Sequence, residues 1–254
     1  MEVALIPPYS MMHTVRDRKY QMMLPSCLVN PTYRQFYNDI IGKSYVILDN
    51  GMFEDSMMSN DRLIDLANMW QVDELVMPDV RGDINGTFEA VDSFLNMFTL
   101  INFDKTPNLM IVVQIDSVDQ IEEFIQEAAK MEMAIFGRHG FFTFGIPRRL
   151  AEDIYPDIRV RIAAYISLYL PDNHIHLLGY SRVKQHGVNE IQALSGMARS
   201  MDTDAPYVWA CANASLTNRT AYERSAHYMD VTSISDRLLQ DNISTLDRWS
   251  RGRP

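Results

Sequence analysis

The clearest indication of the fold class is LMIVVQIDSVDQIEEFIQEAAKM at residues 109–131. It opens with a continuous apolar run, Leu109–Val113, which is typical of a parallel strand buried on both faces. It continues with apolar residues at i, i+3 and i+4 over Val118–Met131, which predicts an amphipathic helix that begins after the capping residue Ser117. The stretch is therefore interpreted as one strand followed by one helix.

The same alternation of apolar runs and helical segments extends along most of the chain. The predicted strands are Val3–Ile6, Tyr45–Leu48, Glu74–Met77, Leu109–Val113, Ala134–Phe136 with a continuation at Phe142–Phe144, and Ile175–Leu178. The other clear helices are Asn60–Trp70, Gly86–Leu100, Ile158–Leu168 and Val188–Ala198. The segments around Met201 and Tyr228 are candidates for a seventh and an eighth strand. Repeated units of this kind indicate an α/β fold with a parallel sheet.

A (β/α)8 TIM-like barrel fits these units, because such a barrel typically needs about 250 residues and this chain has 254. No repeat or Pro/Gly/Ser-rich linker divides the sequence, so we predict a single domain over residues 1–254 whose end, RWSRGRP, is frayed. An open doubly wound sheet is the alternative. It is disfavoured because Pro7-Pro8-Tyr9-Ser10, and not a glycine-rich phosphate loop, follows the first strand.

The composition argues against several classes of protein. With 47% apolar residues the chain can bury a substantial core. Cys27 and Cys211 are too few and too far apart for a disulfide framework or a Cys-rich zinc site, and no metal or cofactor is predicted. The sequence has neither a membrane-spanning apolar run nor a signal peptide, so we expect a cytoplasmic protein, in the host cytoplasm if its gene is viral. The net charge of −10 argues against nucleic-acid binding by bulk electrostatics.

Polar residues and glycines stand where the predicted strands end, namely Asp49, Asp79, Gln114, Gly145, Gly179 and Asp202. The carboxyl ends of barrel strands share one mouth, so we expect three carboxylates and an amide to converge there. Carboxylates that share a cleft shift each other's pKa apart, which allows one to act as a nucleophile while another carries a proton. Taken alone, each aspartate is more often an N-cap or turn residue.

The order and spacing of these motifs resemble the tRNA-guanine transglycosylases, and most closely their shorter, zinc-less relatives of phage and bacterial type that place deazaguanines in DNA. The motifs are LDNGMFE at 48–54, VMPDV at 76–80, VVQ at 112–114, FFTFGIPRR at 141–149, HLLGY at 176–180 and MDTDAP at 201–206. Each motif is short, and the resemblance rests on their common order over roughly residues 45–206.

The resemblance implies that Asp202 and Asp49 are the catalytic pair. A carboxylate that attacks the anomeric carbon of a sugar forms a covalent glycosyl ester and splits one hard displacement into two easier ones. The resemblance aligns Asp202 with the nucleophile of the family. The departing guanine needs a proton, which a second carboxyl with a raised pKa can supply and later remove from the incoming base. Asp49 falls on that position.

The other motif residues are implied to form the base-binding pocket: Asp79, Phe53, Gln114, Gly145, Leu178 and Asn50. Asp79 accepts from the N–H donors of the guanine edge in this scheme. Gln114 and the backbone N–H of Gly145 contact the base carbonyl, while Phe53 and Leu178 stack on its two faces, a contribution of about 1–3 kcal/mol per base. Asn50 replaces a serine of the family pattern, so the polarity of this pocket is expected to differ from that of the family.

The family's zinc subdomain, with its Cys-x-Cys-x-x-Cys…His pattern, is missing from the sequence, which shifts the expected substrate from tRNA toward DNA. The expected partners are DNA, or alternatively tRNA, and a 7-deazaguanine base such as preQ0. Whether the protein forms a homodimer or binds a partner protein stays open. A target in duplex DNA has to be flipped out of the stack. The candidates for phosphate contacts are arginines in predicted loops: Arg148, Arg149 and Arg182, followed by Arg81, Arg138 and Arg219.

Two other functions stay open at this point. The acidic charge favours an N-glycosidase or another barrel hydrolase that acts on a small nucleoside. A barrel without turnover that serves as a partner subunit is the other alternative, against which the three aspartates argue. His174 and His176 alternate on a predicted strand and could ligate a metal with Asp202, although strand histidines are more often packed or hydrogen-bonded.

Overall fold

Eight parallel strands form one sheet in the order β1-β8-β7-β6-β5-β4-β3-β2. The computed structural model describes residues 1–52, 58–180, 186–218, 222, 225 and 227–253. The strands are β1 Glu2–Leu5, β2 Tyr20–Met23, β3 Tyr45–Leu48, β4 Glu74–Val76, β5 Asn108–Val112, β6 Phe142–Pro147, β7 His174–Leu178 and β8 Ser200–Thr203. The two end strands, β1 and β2, lie side by side, so the sheet is a nearly closed barrel. The predicted (β/α)8 TIM-like fold is confirmed.

Helices connect the strands along the outside of the barrel. They are α1 Pro31–Ile40, α2 Asn60–Trp70, α3 Ile84–Phe98, α4 Ile121–Phe136, α5 Arg149–Asp153, α6 Ile158–Tyr169, α7 His186–Leu194, α8 Ala205–Cys211 and α9 Asp236–Ser250. Short 3-10 helices cover Tyr9–Val15, Pro25–Val29, Val118–Gln120 and Tyr228–Asp230. Within the described ranges, none of the helices combines the length and the apolar character that crossing a bilayer requires.

Three sequence-based assignments are wrong. The segment Ala134–Phe136 is not a strand but the last turn of α4, which ends where Gly137 adopts a positive φ of 70°. The strand of this unit is β6, which starts at Phe142. The segment around Tyr228 is a 3-10 turn, and the hydroxyl of Tyr228 donates to the carbonyl of Ile6. At the C-terminal end, α9 continues to Ser250 with Trp249 buried, so only the last residues extend beyond it.

The strand β2 went unpredicted because its sequence, YQMM, contains a glutamine. Gln21 is nevertheless buried, and its amide donates to the carbonyl of Val15 at 2.6 Å. This bond satisfies a polar group that burial would otherwise penalise. Counting β2 as the second strand places Asp202 in the eighth.

The amino ends of the strands close one end of the barrel. Arg199, just before β8, is paired with the buried carboxylate of Glu74 at the start of β4. Its guanidinium also lies over the rings of Tyr20 and Tyr45, with centroid distances of 5.6 and 5.1 Å. This arrangement fills the barrel floor with a paired charge and aromatic rings, so functional chemistry is expected at the opposite end.

Candidate active site

The carboxyl ends of five strands bring together most of the residues that the sequence singled out. Asp49 follows β3, Asp79 follows β4 and Gln114 follows β5. Leu178 is the last residue of β7, and Asp202 lies one residue before the end of β8. Because all strands are parallel, these side chains lie at the same end of the barrel.

Asp79 is the centre of a buried polar cluster. Its Oδ1 accepts from Asn50 Nδ2 at 2.6 Å, and its Oδ2 accepts from the amide of Gln114. The three side chains are each 3% exposed. Loops after three adjacent strands therefore meet on one carboxylate.

The two amides that hold Asp79 are themselves fixed. Asn50 Nδ2 also donates to the carbonyl of Met77 at 2.8 Å, and Asn50 Oδ1 accepts from the backbone N–H of Met52 at 3.0 Å. Gln114 Oε1 accepts from the backbone N–H of Gly82 at 3.1 Å and from the guanidinium of Arg149. Neither amide can flip without losing two bonds, so both present N–H donors to Asp79.

Two opposing effects act on the charge of Asp79. Burial raises the pKa of Asp79, because an ionised carboxylate loses its hydration there. The bonds from Asn50 and Gln114, with the charge of Arg149, offset part of this rise in pKa. Burial and the neighbouring charge of Arg81 lower the pKa of Arg149 from its usual value.

Asp202 belongs to a second polar cluster, on the opposite side of the barrel. Its Oδ1 accepts from the backbone N–H of Gly179 at 3.1 Å and lies 3.2 Å from His176 Nε2. His176 Nδ1 lies 2.8 Å from Ser200 Oγ, and both side chains are fully buried. Asp202 Oδ2 accepts no hydrogen bond from the residues that the structure describes. Among the described residues, the contacts of Asp202 thus fall on one of its two carboxylate oxygens.

Four strand positions separate Asp79 from Asp202 in the sheet order, which is half of an eight-stranded barrel. Asp49 is half-buried, and its Oδ2 accepts from the backbone N–H of Gly51 at 3.1 Å. The strands β1 and β2 lie between β3, which carries Asp49, and β8. The three aspartates therefore stand around the barrel mouth, Asp49 after β3, Asp79 after β4 and Asp202 in β8.

A groove of about 340 Å³ lies beside the Asp79 cluster, between the loops that follow β4, β5 and β6. Gly82 and Arg149, both bonded to Gln114, form part of its wall, with Asp116, Leu150 and Asp153. Its volume falls at the low end of the range of about 300–1,000 Å³ for small-molecule pockets.

Gly145 was expected at the end of its strand, and this placement is wrong. It lies inside β6, in register with Val112 on one side and His176 on the other. A Cβ at this position would come within 2.9 Å of Met110 Sδ and of Leu178 Cδ1. The absence of a side chain thus makes room for two neighbours in the barrel interior, which is a packing role.

The arginines expected at the mouth divide into three groups. Arg81 and Arg149 each lie 3.6 Å from Asp153, and Arg148 lies 3.6 Å from Glu152, so this part of the rim is balanced by acids. The placement of Arg138 was wrong. It follows α4 at the opposite end of the barrel, where its guanidinium lies 4.6 Å from the Phe141 ring centroid. Phe53, Arg182 and Arg219 lie outside the described residues.

Few features of the sequence predict the neighbours that surround Asp202. His176 was expected to be packed or hydrogen-bonded, and it is bonded to Asp202 and Ser200. The signal available was its position two residues before Leu178 on the same face of β7. His174 stands exposed at the start of that strand. In the part of the chain that the structure describes, no group of three His, Cys, Asp or Glu side chains could hold a metal ion.

Comparison with known proteins supports the architecture. A solved structure of D-psicose 3-epimerase, determined in the presence of D-fructose, is similar with a TM-score of 0.50 and 12% sequence identity. The match covers 99% of this chain and 100% of that chain. At this identity the likeness shows a shared barrel fold alone. No family profile and no curated protein matches the sequence.

Proposed function

We propose that this protein is a base-exchange glycosyltransferase that replaces guanine in a nucleic acid, DNA in the first instance, by a 7-deazaguanine of the preQ0 type. The observation that carries the proposal is the pair of carboxylates at the barrel mouth. Asp79 has both oxygens in a cage of fixed amides, while Asp202 has one oxygen held and one open. Asp49, Asp79, Gln114, Leu178 and Asp202 also lie at or just after the carboxyl ends of β3, β4, β5, β7 and β8, in the chain order that the resemblance to the transglycosylases requires.

The first chemical step is attack by Asp202. Its Oδ2 forms a bond to C1′ of the target nucleotide while the bond from C1′ to N9 of guanine breaks and its electron pair stays on the base. The product is a glycosyl ester of Asp202. Asp49 gives a proton to the departing guanine, which leaves as the neutral base.

The second step reverses the first with a different base. Asp49 removes the proton from N9 of the incoming deazaguanine, N9 attacks C1′, and the ester bond to Asp202 breaks. The carboxylate of Asp202 and the proton on Asp49 are restored, so no external acid or oxidant is consumed.

Asp79 supplies recognition in this scheme. An ionised carboxylate has about four lone-pair sites, and two are taken by Asn50 and Gln114. Two remain for the adjacent N–H donors of a guanine-type edge. A base that presents acceptors at that edge would leave a buried carboxylate facing lone pairs, which is strongly unfavourable.

The direct test is incorporation of label. Purified protein is incubated with guanine-containing DNA, or with tRNA, and with labelled preQ0, and acid-insoluble label is counted. We expect incorporation into DNA, its loss in Asp202→Asn, and its retention in the matched control Asp104→Asn, which changes an exposed aspartate before β5, at the other end of the barrel. Incorporation that survives Asp202→Asn would refute the proposed nucleophile.

A second candidate function is favoured by the rim charges. Because Arg81, Arg148 and Arg149 face Asp153 and Glu152, this side of the mouth is not strongly basic, whereas polynucleotide binding leans on unpaired cations. The groove of about 340 Å³ beside the Asp79 cluster has the volume of a small-molecule pocket. The second candidate is therefore an N-glycosidase of purine nucleosides, and release of free guanine from deoxyguanosine without any polynucleotide would favour it.

A further inference from the structure

A chain of hydrogen bonds runs along the wall of the barrel from its floor to Asp202. Arg199 Nε donates to Ser200 Oγ at 3.4 Å, Ser200 Oγ lies 2.8 Å from His176 Nδ1, and His176 Nε2 lies 3.2 Å from Asp202 Oδ1. Arg199 itself is anchored on Glu74. His176 and Ser200 are both 0% exposed, so no solvent competes for these bonds.

The chemistry of the end groups sets the direction of the chain. A carboxylate that attacks a sugar is ionised and can only accept, so His176 Nε2 carries the ring proton. A neutral imidazole then has a bare Nδ1, which accepts from the hydroxyl of Ser200. The oxygen of Ser200 remains available to accept from Arg199. Every donor in the chain thus has an acceptor, with one tautomer of His176.

The backbone holds the same carboxylate oxygen from a second direction. Gly179 has a positive φ of 77° and donates its N–H to Asp202 Oδ1. Its carbonyl accepts from Arg159 Nη1 at 3.0 Å, and Arg159, which is 1% exposed, lies 3.4 Å from Glu190 Oε2. Two donors, His176 in β7 and Gly179 in the turn directly after it, therefore converge on Oδ1, and none of the described residues donates to Oδ2.

We propose that His176 is a positioning residue that holds Asp202 by Oδ1 and thereby makes Oδ2 the attacking oxygen. This inference rests on the proposed function for its catalytic consequence, and its structural part stands without it. His176 does not touch the substrate. It fixes the rotation of the carboxylate about the Cβ–Cγ bond, so that the open oxygen faces the mouth before the substrate arrives.

The structural part is tested without any activity. A long-range ¹H–¹⁵N correlation spectrum of the uniformly labelled protein identifies which ring nitrogen of each histidine carries a proton, and the spectrum of His176→Gln assigns the signals of His176. We expect a protonated Nε2 and a bare Nδ1 in the wild type. A bare Nε2 would overturn the proposal, because such a ring cannot donate to Asp202.

The catalytic part is tested with a matched set of variants. The amide nitrogen of His176→Gln can reach the position of Nε2 and keep one donor, whereas His176→Leu keeps none. We expect His176→Leu to lower kcat for base exchange on the order of ten- to a hundred-fold, the loss of one bond to a charged group, with KM for the incoming base unchanged. His176→Gln should recover most of this loss. His174→Gln, at the exposed start of the same strand, is the control.

These measurements separate the proposed function from the positioning of Asp202 by His176. If the wild type neither exchanges bases nor forms an adduct, but Nε2 carries the proton, the proposed function fails and the positioning of Asp202 stands. If exchange is measured and His176→Leu is as active as the wild type, the positioning role is refuted. Should His176→Leu fail to fold, Ser200→Ala and His176→Gln provide the comparison, since the wild-type tautomer depends on Ser200 as a donor.

Discussion

Replacing Asp79 by asparagine tests whether the amide cage around this carboxylate is as rigid as its bonds imply. The substitution is nearly isosteric, yet it turns one acceptor atom into a donor. Asn50 and Gln114 both present N–H groups to this position, and neither can rotate without losing bonds to Met77, Met52, Gly82 or Arg149. One buried N–H is therefore left facing another in Asp79→Asn.

The expected cost follows from two opposing contributions. A buried donor without a partner costs about 1–3 kcal/mol, while removal of a buried ionised carboxylate recovers part of this. We expect Asp79→Asn to lower the free energy of unfolding by about 1 kcal/mol at neutral pH. Urea unfolding followed by tryptophan fluorescence measures it, with Asp116→Asn as the exposed control.

The pH dependence of the same comparison has a definite sign. Burial raises the pKa of Asp79 above its value in the unfolded chain. The folded protein therefore binds this proton more tightly, and the stability that Asp79 contributes is present at low pH and lost as the pH rises through the folded pKa. The difference in unfolding free energy between wild type and Asp79→Asn should grow as the pH falls from about 7 to about 4. A variant as stable as the wild type across this range would refute the rigid cage.

Two further substitutions test other parts of the structure. Glu132 on α4 is fully buried and accepts from the backbone N–H groups of Phe141 and Phe142 and from Asn173. Glu132→Leu should therefore lower the unfolding free energy by about 3–5 kcal/mol, against little change for the exposed Glu127→Leu. A loss below about 1 kcal/mol would show that this carboxylate does not hold the start of β6. Gly179→Ala would combine a positive φ with a Cβ placed 2.9 Å from Arg148 Cδ. It should therefore lower the free energy of unfolding by about 1–3 kcal/mol, measured by thermal unfolding, and weaken the N–H contact to Asp202. An unchanged melting temperature and unchanged activity would contradict this.

The barrel could be predicted from the sequence because most of its strands are short apolar runs followed by helices with a clear 3.6-residue period. The strand β2 was not predicted because Gln21 interrupts the apolar run. The burial of the Gln21 side chain depends on the carbonyl of Val15, six residues away, which no local pattern reveals. The segment Ala134–Phe136 misled for the opposite reason. It is apolar, with Ala134 exposed and Ile135 and Phe136 partly buried, but it forms the last turn of α4, which ends at Gly137.

The candidate site was partly predictable for a similar reason. Residues that follow parallel strands reach the same mouth whatever their partners are, so Asp49, Asp79 and Gln114 could be placed by counting strands. Their partners could not. That Gln114 donates to Asp79 is settled by Gly82 and Arg149, on two other loops, and that His176 meets Asp202 depends on the register between β7 and β8.

The proposed function depends on a covalent bond between Asp202 and the sugar of a nucleic acid. The most direct measurement is intact mass spectrometry of the protein after incubation with guanine-containing DNA in the absence of an incoming base, followed by peptide mapping of any adduct. We predict an adduct on the peptide that contains Asp202, absent in Asp202→Asn and retained in Asp104→Asn, the exposed control at the other end of the barrel. Incorporation of labelled base without an adduct, an adduct on Asp49, or the absence of both adduct and incorporation would contradict it.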